Sequence, residues 1–121
     1  MDMQTVVETP SYLFAAKDAG MTDAVRQGLV ETLAREPDMG VLIKGTGGFR
    51  KIRVAAEGRG KSGSYRVVTF FSGPGIPVFL ITVFAKNEAD NLTPAERNAL
   101  AKMAKTLVDT YAAKATKGQK R

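Results

Sequence analysis

Three consecutive segments of this chain have the composition of β-strands and are joined by glycine-rich connections. They cover residues 49–55, 65–71 and 78–84, with three glycines in residues 57–63 and a Gly-Pro-Gly triplet in residues 73–75. The first segment alternates in polarity, the second is rich in β-branched and aromatic residues, and the third is apolar on both faces, which is typical of a central strand. Strands that follow one another through short connections pair as antiparallel neighbours. The sequence therefore predicts a mainly antiparallel sheet around these three strands.

The residues before these strands predict one further strand and two helices. Residues 3–8 have a β-like composition, and residues 12–17 predict a short helix. Thr22 is the expected N-cap of a longer helix over residues 23–36, whose apolar residues recur at four-residue spacing as one buried stripe. We expect this helix to stop before Pro37, because the residue that precedes a proline avoids the α conformation.

A capping box at residues 93–96, with Pro94 at the first helical position, begins the last predicted helix. The helix is expected to run to about Ala113 and to bury one apolar stripe, formed by Leu100, Met103, Leu107, Val108 and Tyr111. Residues 114–121 are expected to be a frayed basic tail. The predicted architecture is a single α+β domain over residues 1–121, in which N-terminal helices and a C-terminal helix pack on the sheet.

All of the formal net charge of +6 lies between Lys44 and Arg66. This segment holds seven basic residues and one acidic residue, whereas the other 98 residues hold eleven of each and cancel. Charge concentrated in this way points to a polyanion as the partner, with RNA or DNA as the first candidate. The alternative is a solvated basic hairpin that has no partner.

The composition excludes several classes of site. The chain has no cysteine and no histidine, which rules out disulfides, thiolate zinc sites and His-dependent triads. Glu88 and Asp90 are too weak a pair to predict a metal site, and we expect no cofactor. No apolar run is long enough to span a bilayer and no signal peptide is visible, so we expect a cytoplasmic protein without a membrane partner.

Strand alternation sorts the basic residues of the first strand into two sets. Ile52 and Val54 point to one face together with Arg50, and this apolar face should pack on the helices. Lys51 and Arg53 then lie two residues apart on the opposite face, where both can reach one phosphate group.

Further cations are expected to join this pair. Arg66 opens the second strand and Lys86 ends the third, so in one sheet the four side chains converge on a single patch. Arg59 and Lys61 lie in the glycine-rich loop, where the glycines allow close approach to a nucleic-acid backbone.

The combination of these motifs resembles the RelE/HigB toxins of bacterial type II toxin–antitoxin systems. The motifs are the run Gly45–Arg53, the loop Gly58–Gly63, the strand opening Tyr65–Val68, and Ala85–Glu88 followed by the capped helix. The resemblance covers about residues 3–113. It implies a small α+β fold, ribosome-dependent cleavage of mRNA and neutralisation by a cognate antitoxin. Because the chain has no histidine or cysteine ligand and no convincing carboxylate cluster, we expect the cleavage to need no metal ion of the protein's own.

The resemblance also implies roles for individual residues. Lys51 would be the base or an electrostatic partner, Arg53 and Arg66 would stabilise the phosphate, and Lys86 would be a further cation or the acid. The residues implied to grip ribosomal or messenger RNA are Arg50, Arg59, Lys61 and Asn87.

Two other functions stay open at this point. A gyrase-inhibiting toxin of the related ParE group would share the fold, although it has no need of a dense cationic patch. A non-catalytic RNA-binding domain would use the same side chains as a ribonuclease, and the sequence does not separate the two.

Overall fold

The computed structural model of the protein describes residues 3–55, 64–85 and 93–119. In chain order the elements are β1 (Val6–Glu8), α1 (Pro10–Asp18), α2 (Asp23–Arg35), β2 (Val41–Leu42), β3 (Phe49–Ala55), β4 (Ser64–Phe70), β5 (Val78–Ala85) and α3 (Pro94–Gln119). They form the predicted α+β fold. Within the described ranges, no helix is both long and apolar enough to cross a membrane.

The five strands form one sheet in the order β1-β5-β4-β3-β2. β3, β4 and β5 pair as successive antiparallel neighbours, which confirms the predicted centre of the sheet. β1 is parallel to β5, with Val6 opposite Val78, so the sheet is mainly rather than wholly antiparallel. β2 is an edge strand antiparallel to β3.

Helices cover both faces of the sheet. α1 and α2 pack on one face, over a core that includes Ile52, Val67 and Leu80. α3 packs on the other face, where Phe49, Phe70 and Ala104 are buried. For brevity, these are called the α1/α2 face and the α3 face.

Helix caps form where the sequence places them. The side chain of Thr22 accepts a hydrogen bond from the backbone N–H of Val25, which begins α2. At the start of α3, the N–H of Thr93 donates to Glu96 Oε1 at 2.8 Å and the N–H of Glu96 donates to Thr93 Oγ1 at 3.1 Å. The two reciprocal bonds are those of a complete capping box.

The ends of several elements differ from the prediction. α1 covers Pro10–Asp18 rather than residues 12–17, and β4 and β5 are displaced or extended by one residue. β1 begins at Val6 rather than at residue 3, and the side chain of Gln4 instead donates to the carbonyl oxygens of Pro74 and Ile76. α2 ends at Arg35, one residue earlier than predicted. α3 continues past the predicted end near Ala113 to Gln119, because no glycine or proline interrupts it before residue 118.

The apolar stripe of α3 was predicted wrongly at one position. Met103 is 43% exposed, whereas Ala104 is buried at 4% exposure. At 100° per residue, Ala104 lies near the centre of the stripe that Leu100 and Val108 define, and Met103 lies at its margin. The side chain of Tyr111, the last predicted member, is outside the described part.

Candidate functional site

Arg53 of β3 and Arg66 of β4 are direct partners in the antiparallel register. Side chains of directly opposed residues leave the same face, with Cβ atoms about 4.5–5.5 Å apart. Phe49 and Phe70 alternate in phase with them and lie in the core under α3, so both arginines are on the α3 face. Like charges directly opposite each other destabilise a sheet. The register thus brings two positive charges side by side at this point.

The two arginines differ in their surroundings. Arg66 is 8% exposed, and its Nη1 donates to Ser64 Oγ at 3.2 Å. Arg53 is exposed, and within the described residues it has neither a hydrogen bond nor an ion pair. The arrangement combines a guanidinium held at a fixed position in the sheet surface with a second one that can move to meet a ligand.

Lys51 adds a third cation to the same face. It is half-buried on β3 between Val41 of β2 and Val68 of β4, one strand repeat from Arg53. Two residues of a strand span about 6.6 Å, so the long side chains of Lys51 and Arg53 can reach one phosphate group. Lys51, Arg53 and Arg66 thus lie on one face of the sheet, and we call these three residues the cationic patch.

The remaining predicted site residues fall elsewhere. Arg50 lies on the α1/α2 face, in phase with Ile52, and its Nη1 donates to the carbonyl oxygen of Phe71 at 3.5 Å. The sheet therefore separates Arg50 from the cationic patch. The other four positions lie outside the described residues: Arg59, Lys61, Lys86 and Asn87.

Ion pairs within the described residues are remote from the patch. Arg26 on α2 binds Glu8 at 3.1 Å and Asp23 at 2.9 Å, and the hydrogen bond that it donates to Glu8 raises the pKa of Arg26. Lys105 and Asp109 pair along the exposed side of α3. Among the described residues, no carboxylate forms an ion pair with Lys51 or Arg53.

The tyrosine with a perturbed pKa is a core residue rather than a site residue. Burial raises the pKa of Tyr12 to about 12, and its hydroxyl donates to Met21 Sδ at 3.6 Å in the core of the α1/α2 face. The sheet separates it from the cationic patch. Among the described residues there is also no cluster of carboxylates suited to a metal ion.

A pocket beside the cationic patch was not predicted from the sequence. It lies between the α3 face and the start of α3, with a volume of about 220 Å³. Its lining is mostly apolar with one hydroxyl and one carboxylate, from Ile43, Val68, Thr82, Phe84, Glu96, Ala99 and Leu100. We call it the α3 pocket. The only sequence signal for it was Thr82, which interrupts the apolar run of β5.

The pocket and the patch share two cross-strand rows. In one row Arg53 is opposite Arg66, which is opposite Phe84 of β5. In the next row Lys51 is opposite Val68, which is opposite Thr82. The cations thus occupy the β3 side of a continuous surface, and the pocket occupies its β5 side.

A β-bulge lies at the floor of the pocket. Val68 pairs with Thr82 but Thr69 pairs with Leu80, so Ile81 is an extra residue on β5. Bulges re-aim neighbouring side chains and are common next to functional sites. Here the bulge leaves both Ile81 and Thr82 on the α3 face, with Ile81 in the core and Thr82 in the pocket.

Comparison with known proteins agrees with this architecture. A sequence model of the family described as "RelE toxin of RelE / RelB toxin-antitoxin system" matches residues 14–120. The solved structure of a double arginine-to-alanine mutant of the E. coli toxin RelE in the free state matches with a TM-score of 0.52 and 19% identity. That match covers 84% of this chain and 96% of the other chain, and it shows a common fold.

Proposed function

This chain belongs to the RelE toxin family of toxin–antitoxin systems, and we propose that it is a ribosome-dependent endoribonuclease that cuts mRNA. In the proposed reaction, the 2′-hydroxyl of one nucleotide attacks the adjacent phosphate. The 5′-oxygen leaves, and the products are a 2′,3′-cyclic phosphate and a 5′-hydroxyl. The chemistry requires no metal or cofactor of the protein's own.

The observation that carries the proposal is the opposition of Arg53 and Arg66 on one face, with Lys51 one repeat away. Three positive charges lie close together on this face although they repel one another. An anion bound among them removes the repulsion, and the pentacovalent phosphate of the transition state carries more negative charge than the ground state. Fixed cations aimed at that developing charge lower the barrier.

Each cation has a proposed role. Arg66, which is buried, holds a non-bridging phosphate oxygen at a fixed point, and Arg53 closes on the phosphate from the solvent side. Lys51 acts as the base for the 2′-hydroxyl or stabilises its developing charge. Lys86, which follows β5, is the further cation or the acid for the leaving oxygen.

We propose that cleavage requires the ribosome because the chain has no histidine to act as an efficient proton-transfer group. A site made of lysine and arginine is a weak proton-transfer catalyst, and it gains most when the substrate is already held in line for attack. Effective molarities of about 10⁵–10⁸ M are reached by such positioning. An mRNA fixed in a ribosomal site provides that geometry. The proposed partners are therefore the ribosome, its mRNA and a cognate antitoxin, and the proposed location is the cytoplasm.

The decisive experiment maps cut sites on one message in a reconstituted translation system, with and without ribosomes. We expect cuts only in ribosome-bound message, with cyclic phosphate or 3′-phosphate ends. A second message carries a single 2′-deoxy nucleotide at the mapped site and is tested at constant magnesium, because ribosomes themselves need that ion. It should resist cleavage there.

Contrary results would select another function. Cleavage of the 2′-deoxy site at the normal rate, or products with 3′-hydroxyl ends, would reject the proposed chemistry. Binding without cleavage would favour a plain RNA-binding module. Intact message combined with inhibition of DNA supercoiling would favour a gyrase inhibitor.

A further inference from the structure

We infer that the α3 pocket is a base-specificity subsite, which receives one base of the mRNA next to the phosphate that is cut. The inference rests on the proposed function. We assign a nucleobase to this pocket because the pocket and the cationic patch share the same two cross-strand rows.

Distance and charge support this occupant. Phe84 in the pocket is the direct cross-strand neighbour of Arg66, and Val68 is that of Lys51. Directly opposed side chains are about 4.5–5.5 Å apart at Cβ, which is within the span of one nucleotide. A phosphate bound by the patch therefore has its own base, or the next one, at the mouth of the pocket.

The lining suits a flat heteroaromatic ring. Val68, Phe84 and Leu100 provide apolar walls, and an aromatic side chain offers a stacking surface to any base. The pocket volume of about 220 Å³ is large enough for one base.

Two polar groups in the pocket can read the edge of the base. Glu96 Oε1 accepts from the N–H of Thr93 in the capping box, and Oε2 has no partner within the described residues. Thr82, which the register places on the α3 face, lines the pocket, and its hydroxyl likewise has no hydrogen bond to another described residue. A carboxylate can only accept, so it selects an exocyclic amino group. We expect adenine, cytosine or guanine here, and uracil to be disfavoured because two carbonyl oxygens flank its single N–H.

The test compares the base frequencies beside the cut for the wild type, Thr82→Val and Glu96→Gln, on a long message in the reconstituted system. Valine keeps the shape of threonine, and glutamine keeps the capping box, so thermal melting should be unchanged for both. Glu31→Gln is the matched control, since Glu31 is an exposed glutamate of α2, across the sheet. Loss of one hydrogen bond should change the preference between bases by about tenfold.

The expected result is an altered base preference in both pocket variants and the wild-type preference in the control. Removal of the Glu96 charge also strengthens RNA binding in general, but that effect is the same for every base and leaves the preference unchanged. Wild-type base frequencies in both variants would overturn the inference while the cleavage function stands. So would variants that resist neutralisation by the antitoxin with unchanged base frequencies, because the pocket would then be an antitoxin site. A wild-type protein that cuts no message would overturn the proposed function itself, and the inference with it.

Discussion

Arg53 and Arg66 lie directly opposite each other on neighbouring strands, one exposed and the other 8% exposed. Repulsion between the two charges opposes folding, whereas both charges serve the proposed chemistry. Because the two arginines differ in exposure, we expect them to respond differently to substitution.

Arg53→Gln should stabilise the fold while it weakens cleavage. Removing one of two opposed like charges should increase the free energy of unfolding by about 0.2–1 kcal/mol. The gain should shrink at high salt, where exposed charges are screened. Urea denaturation at two salt concentrations measures the stability, and cut-site mapping measures the activity. Lys102→Gln, an exposed lysine in the middle of α3, is the matched control and should change neither. A destabilised but fully active Arg53→Gln protein would contradict this account of the pair.

Arg66 should be the more critical residue for toxicity. Expression of the wild type should arrest growth by halting translation, and Arg66→Ala should relieve the arrest. Loss of one fixed group that stabilises transition-state charge costs about 10²–10³ in rate. Because the alanine also removes buried volume, Arg66→Lys is measured beside it, with circular dichroism to establish folding. A folded Arg66→Ala protein that is equally toxic would show that the site is wrongly assigned.

Arg59 and Lys61 should contribute to ribosome association through phosphate contacts. Neutralising both should weaken binding and flatten its salt dependence. Each lost contact with single-stranded RNA lowers the log–log slope by about 0.7. Binding is measured by co-sedimentation across a salt series. An unchanged slope would mean that this loop does not touch RNA.

Gly48 and Gly28 should respond to alanine in opposite directions. Gly48 has φ +133°, and a Cβ there would lie 3.0 Å from Phe70 Cε1, so Gly48→Ala should destabilise the fold by about 1–3 kcal/mol. Gly28 is within α2 with open space around it, so Gly28→Ala should stabilise by about 0.5–1 kcal/mol. Thermal melting of the two variants measures the contrast. Equal effects would mean that the close packing against Phe70 does not constrain Gly48.

Tyr12 should make stability fall at high pH. Its pKa is raised to about 12 by burial, from an ordinary value of 10.0. The folded state therefore holds the phenolic proton more tightly than the unfolded state does. This contribution is complete below pH 10 and is lost as pH rises towards 12, by on the order of 2 kcal/mol. Tyr12→Phe should remove this part of the pH dependence in urea denaturation, and a slope identical to that of the wild type would contradict it.

The sequence predicted those features that depend on local patterns. The bounds of β3, the alternation that separates Lys51 and Arg53 from Ile52, and the capping box at Glu96 all follow from near neighbours along the chain. Each was read correctly because a period of two residues or a reciprocal pair of caps is visible within a few positions.

The missed features depend on how distant segments meet. β2 is two exposed residues, Val41 and Leu42, with no burial pattern, and it exists only because β3 offers it an edge. The bulge at Ile81 is defined by a change of register with β4, and the exposure of Met103 by the rotation of α3 on the sheet. The α3 pocket depends on both the bulge in β5 and the position of α3 on the sheet, so no single segment of the sequence predicts it.

The parallel pairing of β1 with β5 has a consequence for synthesis of the protein. Residues 6–8 leave the ribosome early, but their partners are residues 78–80, and α1 also anchors to β5 through Thr9 and Ser11. A chain that stops before β5 has no strand against which its first helix and strand can pack, and its apolar surfaces stay exposed. Translation must therefore proceed past the β5 codons before this sheet can form, and a message broken upstream of them yields chains in which β1 lacks its partner strand.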